Sequence, residues 1–297
     1  MEVHMNYLSL IAAFGAGVFG SMLGGVATFV MVGFIALAGS IAAMAGGADL
    51  ATACIAFGTV FGPHISFAGA VTAAAYAGKQ GYLPTGGADI FTALFGCRKP
   101  DVFLVGGLTG AVGYVVQWTY ANVFHFNTDT VAMTVATLGI LTRLIFGEAR
   151  LFGDYEGEKR DFFTIKENGL LNNLILGVSV GFIVAGTGMF LLRTFPDQAD
   201  LITGNYANLF FSISAICFIL MMTEAGASTP ATHHITITCA NATMLSGSFL
   251  VGLVVAVAAT FLADFFTNNI NSHVKSHWDP PAMTIFILSF IIFGKFK

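Results

Sequence analysis

A chain with only 12 basic and 16 acidic side chains in 297 residues cannot cover itself with a charged, water-facing shell. Charged residues make up 9% of the sequence, against roughly 25% in an ordinary soluble domain. The soluble-enzyme, nucleic-acid-binding and disordered classes fall away on that ground. The expectation is an all-α polytopic integral membrane protein whose main partner is the lipid bilayer, with room for roughly eight to ten crossings. The net charge of -4 decides little, because the placement of Lys and Arg orients a membrane protein more than their sum does.

Apolar stretches almost free of charge mark the crossings. Eight are clear: residues 7–23, 26–45, 102–124, 130–146, 170–192, 205–223, 249–266 and 281–293. The first has no positive flank and reads as a retained segment, not a cleaved signal. Two further segments, 50–78 and 227–247, are interrupted. Gly58, Gly62 and Pro63 break the first, and proline removes a backbone donor. The second holds a polar run from Ser228 to Thr243 that does not suit a lipid-facing surface. Polar or irregular backbone survives at membrane depth only inside protein or around a watery cavity. Both segments therefore read as interior, either re-entrant or broken, and the count becomes ten if they span.

A polar linker, 148–169, holds ten of the charges and divides the chain. Its basic residues Arg150, Lys159, Arg160 and Lys166, with Lys79, Arg98 and Lys99 of an earlier loop, assign that side to the cytoplasm. Residues 1–147 and 170–297 read as two tandem structural repeats. Each holds two apolar helices, one segment with Pro and His, then two more helices. Asp129-Thr130-Val131-Ala132-Met133-Thr134 aligns with Asp279-Pro280-Pro281-Ala282-Met283-Thr284, and His64-Ile65-Ser66 aligns with His234-Ile235-Thr236. Re-entrant segments would make the repeats parallel and spanning ones would invert them; basic residues do not decide between the two.

The candidate substrate site is the pair of interrupted segments. Hydroxyls of Thr229, Thr232, Thr236 and Thr238, the amide of Asn241, and His233 and His234 can replace a solute's hydration shell. His64 and Ser66 stand at the equivalent place in the first half. The competing reading gives the threonines to their own helix carbonyls. Coupling-ion candidates are Glu224, beside the polar segment, Asp129 and Arg143, a charge inside an apolar stretch that needs a partner such as a carboxylate. Asp129 and Asp279 also read as helix N-caps.

Cys54, Cys97, Cys217 and Cys239 form no C-x-x-C pair and read as buried small hydrophobes. Without H-E-x-x-H, a nucleophile elbow or a P-loop, no enzyme activity, no cofactor and no metal site is expected. The arrangement resembles, in architecture alone, small two-repeat permeases and channels with broken helices, urea-channel-like and elevator-type proteins among them.

The expected function is a secondary transporter or permease for a small polar solute, coupled to H+ or Na+. The alternatives are a passive channel for a neutral solute or ion, and a membrane subunit that docks a complex through its linker. A homo-oligomer fits the glycine-rich helices, and no nucleic acid is expected as a partner.

Overall fold

A computed structural model describes residues 5–223 and 229–297. Among them the fold is all-helical, with ten α-helices and no strand. They are α1 (Tyr7–Leu23), α2 (Gly25–Met44), α3 (Ala68–Lys79), α4 (Pro100–Asn122), α5 (Thr130–Phe146), α6 (Gly169–Thr194), α7 (Ala199–Ile216), α8 (His233–Ser246), α9 (Phe249–Ile270) and α10 (Pro280–Phe296). Five helical stretches are long and apolar enough to cross a membrane: Gly25–Met44, Pro100–Asn122, Lys166–Thr194, Pro196–Met222 and Phe249–Ile270. Tyr7–Leu23, Thr130–Phe146 and Pro280–Phe296 are shorter and equally apolar in character. Outward-facing Leu104, Leu108, Phe182, Ile183, Phe290 and Ile291 form the apolar exterior that lipid covers in a helical membrane protein.

Local chemistry sets the helix ends. The Asn6 side chain accepts from the Leu8 amide and starts α1. Gly24, at φ 93, turns the chain directly into α2, a conformation that side chains other than glycine resist. Asp129 accepts from the Ala132 amide at 2.8 Å and Asp279 from the Ala282 amide at 2.8 Å, so both carboxylates cap helices. Before α3 the chain winds through two wide π-helical turns, Ala51–Ala56 and Pro63–Phe67, rather than a regular helix.

Glycine brings the helices together. α1 and α4 pack antiparallel: Gly17 and Ser21 meet Gly106, Ala13 meets Gly110, and the Asn6 amide reaches the Tyr114 hydroxyl at 3.2 Å. α6 and α9 also pack antiparallel, with Gly177 on Val257 and Gly181 on Leu253. α3 runs against α4, from the His64 carbonyl on Gly113 to the Tyr76 hydroxyl on Asp101 at 2.8 Å. α8 returns into α9 through Gly247, and Thr243 packs on Gly252. Across the molecule, α2 packs on α7 and α5 on α10.

One end of the bundle gathers the linker. Lys79 donates to the Ile145 carbonyl at 3.0 Å, which places the end of α3 beside the end of α5. Thr164 donates to Asp264 through its amide at 2.9 Å, and Tyr155 donates to the Asn268 carbonyl at 2.8 Å. Glu158 meets His273 at 2.9 Å. The linker is thereby laid against the end of α9. The loop over 80–99 reaches the same end, where the Val26 amide donates to the Ile90 carbonyl at 2.9 Å.

Arg143 clasps this end. It is 2% exposed and stands in the last turn of α5. Its guanidinium donates to Ser276 Oγ at 3.1 Å, to the Ser276 carbonyl at 2.6 Å, to the Leu151 carbonyl at 3.0 Å and to the Ile270 carbonyl. A planar fork with several donors fits a set of diverging carbonyls. The carboxylate partner expected for this charge is replaced by backbone oxygens among the described residues. The cysteines depart from expectation too: only Cys239 is buried, Cys97 and Cys217 are half-exposed and Cys54 is exposed.

The glycine contacts yield a test. A methyl on Gly17 would collide with the backbone of Gly106, whereas one on Gly15 would meet nothing within 4 Å. Gly17→Ala is expected to lower stability by about 1–3 kcal/mol, as overpacking does elsewhere. Gly15→Ala should leave the thermal midpoint of the purified protein unchanged or slightly raised.

Candidate functional site

A cavity of about 620 Å³ lies between the residues before the linker and those after it. That is within the usual range for small-molecule sites, roughly 300–1,000 Å³. Its position follows from where helices begin. The π-helical turn Pro63–Phe67 that leads into α3 starts against Gly113, near the middle of α4. α8 starts with His233 and His234, which line the cavity together with Thr260 in the middle of α9. α10 starts at Asp279, beside Leu138 and the middle of α5. Pro63, Asp129, His233 and Asp279, which open the four helical segments, all line the cavity. A helix amino end carries unpaired N–H groups and roughly half a positive charge. Asp129 and Asp279 answer two of these ends with carboxylates.

The walls are mainly aromatic and aliphatic, with Phe29 from α2 and Phe211 from α7 among them. His233 is held inside an aromatic box. Its ring centroid lies 4.7 Å from that of Phe29, 5.3 Å from Phe218 and 5.8 Å from Phe211, with His234 edge-on at 5.6 Å. Both histidines are almost fully buried, and among the described residues the Nδ1 of each has no hydrogen-bond partner.

His277 completes the polar wall. The Trp278 amide donates to Asn271 Oδ1 at 3.1 Å, so Asn271 Nδ2 faces His277 Nδ1 at 3.0 Å. Nδ2 can only donate, so Nδ1 accepts and the proton sits on Nε2. Nε2 then donates to Asp279 Oδ1 at 3.0 Å. A single backbone amide thus orients the amide, selects the imidazole tautomer and leaves Asp279 holding a neutral donor.

The predicted residues separate into two groups. Asp129, His233 and His234 line the cavity. His64 is buried behind Pro63 and does not. Ser66 donates to the Phe61 carbonyl at 2.9 Å, and Thr238 to the His234 carbonyl at 2.7 Å. Thr236 bonds the His233 carbonyl at 3.2 Å and meets Ser214 of α7 at 3.1 Å. These hydroxyls serve their own backbone and one helix contact. Thr229, Thr232 and Asn241 are not in the cavity wall. Arg143 belongs to the clasp and Glu224 lies outside the described residues. His277, Asn271 and the phenylalanine box escaped the sequence reading. The one local signal was His277 two residues before a helix-capping Asp followed by Pro280 and Pro281. Among the described residues, no group of three His, Cys, Asp or Glu side chains is placed to hold a metal ion.

At the linker end Ile90, Phe91, Asn173, Asp264 and Thr267 line the cavity. Asp89 ties the loop tip that carries Ile90 and Phe91. It accepts from Thr85 Oγ1 at 2.5 Å, Thr92 Oγ1 at 2.6 Å, the Phe91 amide at 2.8 Å and the Thr92 amide at 3.1 Å. Burial raises its carboxyl, but these four bonds outweigh burial and hold it below the usual carboxylate range. A depressed folded value means the knot contributes fully above the unfolded value of about 3.9 and is lost as pH falls through the lower folded one. Amide exchange at Phe91 and Thr92 should therefore be slow at neutral pH and lose protection only in strong acid. Asp89→Ala should remove the protection at every pH.

No curated protein and no solved structure matches the chain. A family described as a family of unknown function, DUF7973, matches residues 1–166 and 199–294, which hold all of the cavity lining except Asn173 and Leu176. The protein belongs to that family.

Proposed function

We propose that this protein is a secondary transporter, a multi-pass permease that moves a small polar solute across the cytoplasmic membrane with H+ or Na+ coupling. The observation that carries the reading is the convergence of four helical starts on one mid-depth cavity. Discontinuous helices meeting at the bilayer midplane are the recurring construction of solute sites in transporters. Asp129 and Asp279 are the carboxylates within reach of a coupling cation.

The transport reading includes two inverted repeats of five crossings each, 1–147 and 170–297. Helix directions support the inversion. α3 runs from mid-depth toward the linker end, because Lys79 meets Ile145 there. α8 runs antiparallel to α9, whose carboxyl end holds the linker, so α8 leaves mid-depth the opposite way. The partnerships α1 with α3 and α4, and α6 with α8 and α9, correspond in order. The paired caps Asp129 and Asp279 correspond as well. With the polar linker in the cytoplasm, the carboxyl terminus falls outside. A C-terminal reporter active only on the external side is the expected result; a cytoplasmic one overturns the inversion.

Alternating access separates a transporter from a channel. A Cβ on Gly33 would lie 3.0 Å from the Ala215 Cβ, closer than the roughly 3.5–4.5 Å of a disulfide, so Gly33→Cys with Ala215→Cys cross-links α2 to α7 once the helices part by about half an ångström. In a chain stripped of native cysteines, Ala132→Cys then reports cavity access to impermeant thiol reagents. A transporter reacts from both faces when free and from the linker face alone when cross-linked. A channel reacts from both faces in either state, which would replace the transporter reading.

A further inference from the structure

The cavity wall is one-sided in charge. Among the described residues it contains Asp129, Asp264 and Asp279 and neither Lys nor Arg. Asp264 is engaged at the mouth by Thr164 and Asn268. Among the described residues the two deeper carboxylates have no Lys or Arg partner. Asp129 spends one oxygen on the Ala132 amide. Asp279 faces a histidine whose tautomer, set by Asn271 and the Trp278 amide, makes it a neutral donor. Around them stand phenylalanine rings, Phe57 and Phe67 included. His233 and His234, 5% and 4% exposed, stand in the same wall, with His233 inside the phenylalanine box.

Each ligand class meets this wall differently. An anion would face two carboxylates in an apolar enclosure. A sugar or other polyhydroxyl solute would lose its hydration against rings that return few hydrogen bonds. A bare metal ion lacks the ligand cluster it needs among the described residues. An ammonium group on an apolar body satisfies all of the features together. Its charge pairs with the carboxylates, and its body covers phenylalanine, whose ring faces attract cations. We infer that the cavity binds an organic cation: a protonated or quaternary amine carried on an apolar or aromatic body. This deepens the transport reading and rests on it for the crossing, though not for the binding. The same carboxylates then take the substrate in exchange for the coupling cation.

The test uses the full chain in nanodiscs and three isosteric probes: phenethylammonium, 2-phenylethanol and 3-phenylpropionate. Calorimetry should show saturable phenethylammonium binding at least tenfold tighter than that of 2-phenylethanol, and none for 3-phenylpropionate. Asp129→Asn and Asp279→Asn keep a competent helix cap. They should keep a cooperative thermal transition, weaken phenethylammonium tenfold or more, and change 2-phenylethanol less than twofold. Equal affinity for the ammonium and the alcohol overturns the inference, as does preference for the carboxylate. So does failure of a folded protein to bind any of ethylammonium, phenethylammonium and tetraethylammonium. Uptake into proteoliposomes separates the two readings. Cation binding without uptake refutes transport and leaves the site; uptake of a non-cationic solute that Asp129→Asn leaves unchanged refutes the site and leaves transport.

Discussion

A helix that begins inside an apolar bundle exposes amide N–H groups that nothing in its own turn can satisfy. Four helical segments of this protein begin that way, and the rest of the molecule is arranged around their ends. Two are answered by the carboxylates of Asp129 and Asp279. A third opens with Pro63, which has no N–H to lose. The fourth opens with two histidines against the phenylalanine box. Because the caps must sit where the helices start, ionisable groups are concentrated at mid-depth. The space between the starts becomes a cavity with charge in its wall.

Holding those ends in place falls to the periphery. Glycine contacts let α1 approach α4, and α6 approach α9, more closely than larger side chains would allow. At the linker end Arg143 joins α5 to the end of α9 and to the segment that carries His277. That segment leads straight into Asp279. The clasp therefore reaches the cavity wall through two residues, and the tautomer of His277 depends on a backbone amide that the same segment positions.

Much of the fold was legible because apolar runs leave few choices. Every one of the eight apolar stretches contains a helix, and the expected start is the observed one where Asn6 and Asp129 cap it. The candidate site was legible only in part. His233 and His234 stood out as titratable groups in a polar run, and both line the cavity. The hydroxyls that come after them did not follow. Thr236 and Thr238 lie within one helix of four-residue hydrogen-bond spacing and turn back to its carbonyls. Composition cannot distinguish a hydroxyl that faces a solute from one that faces its own turn.

From sequence alone came the helical membrane class and the capping role of aspartates that precede apolar runs. Each depends on neighbours a few residues apart or on the sum of charges. Tertiary structure decided which charges meet. Arg143 finds carbonyls more than a hundred residues away in place of a carboxylate, and the direction of α3 and α8 sets the depth of their first residues. His277 is polarised by an amide six residues back, but it joins the cavity because α10 begins beside the middle of α5. Periodicity and composition describe a helix and its ends; where two ends meet is fixed by packing between helices distant in the chain.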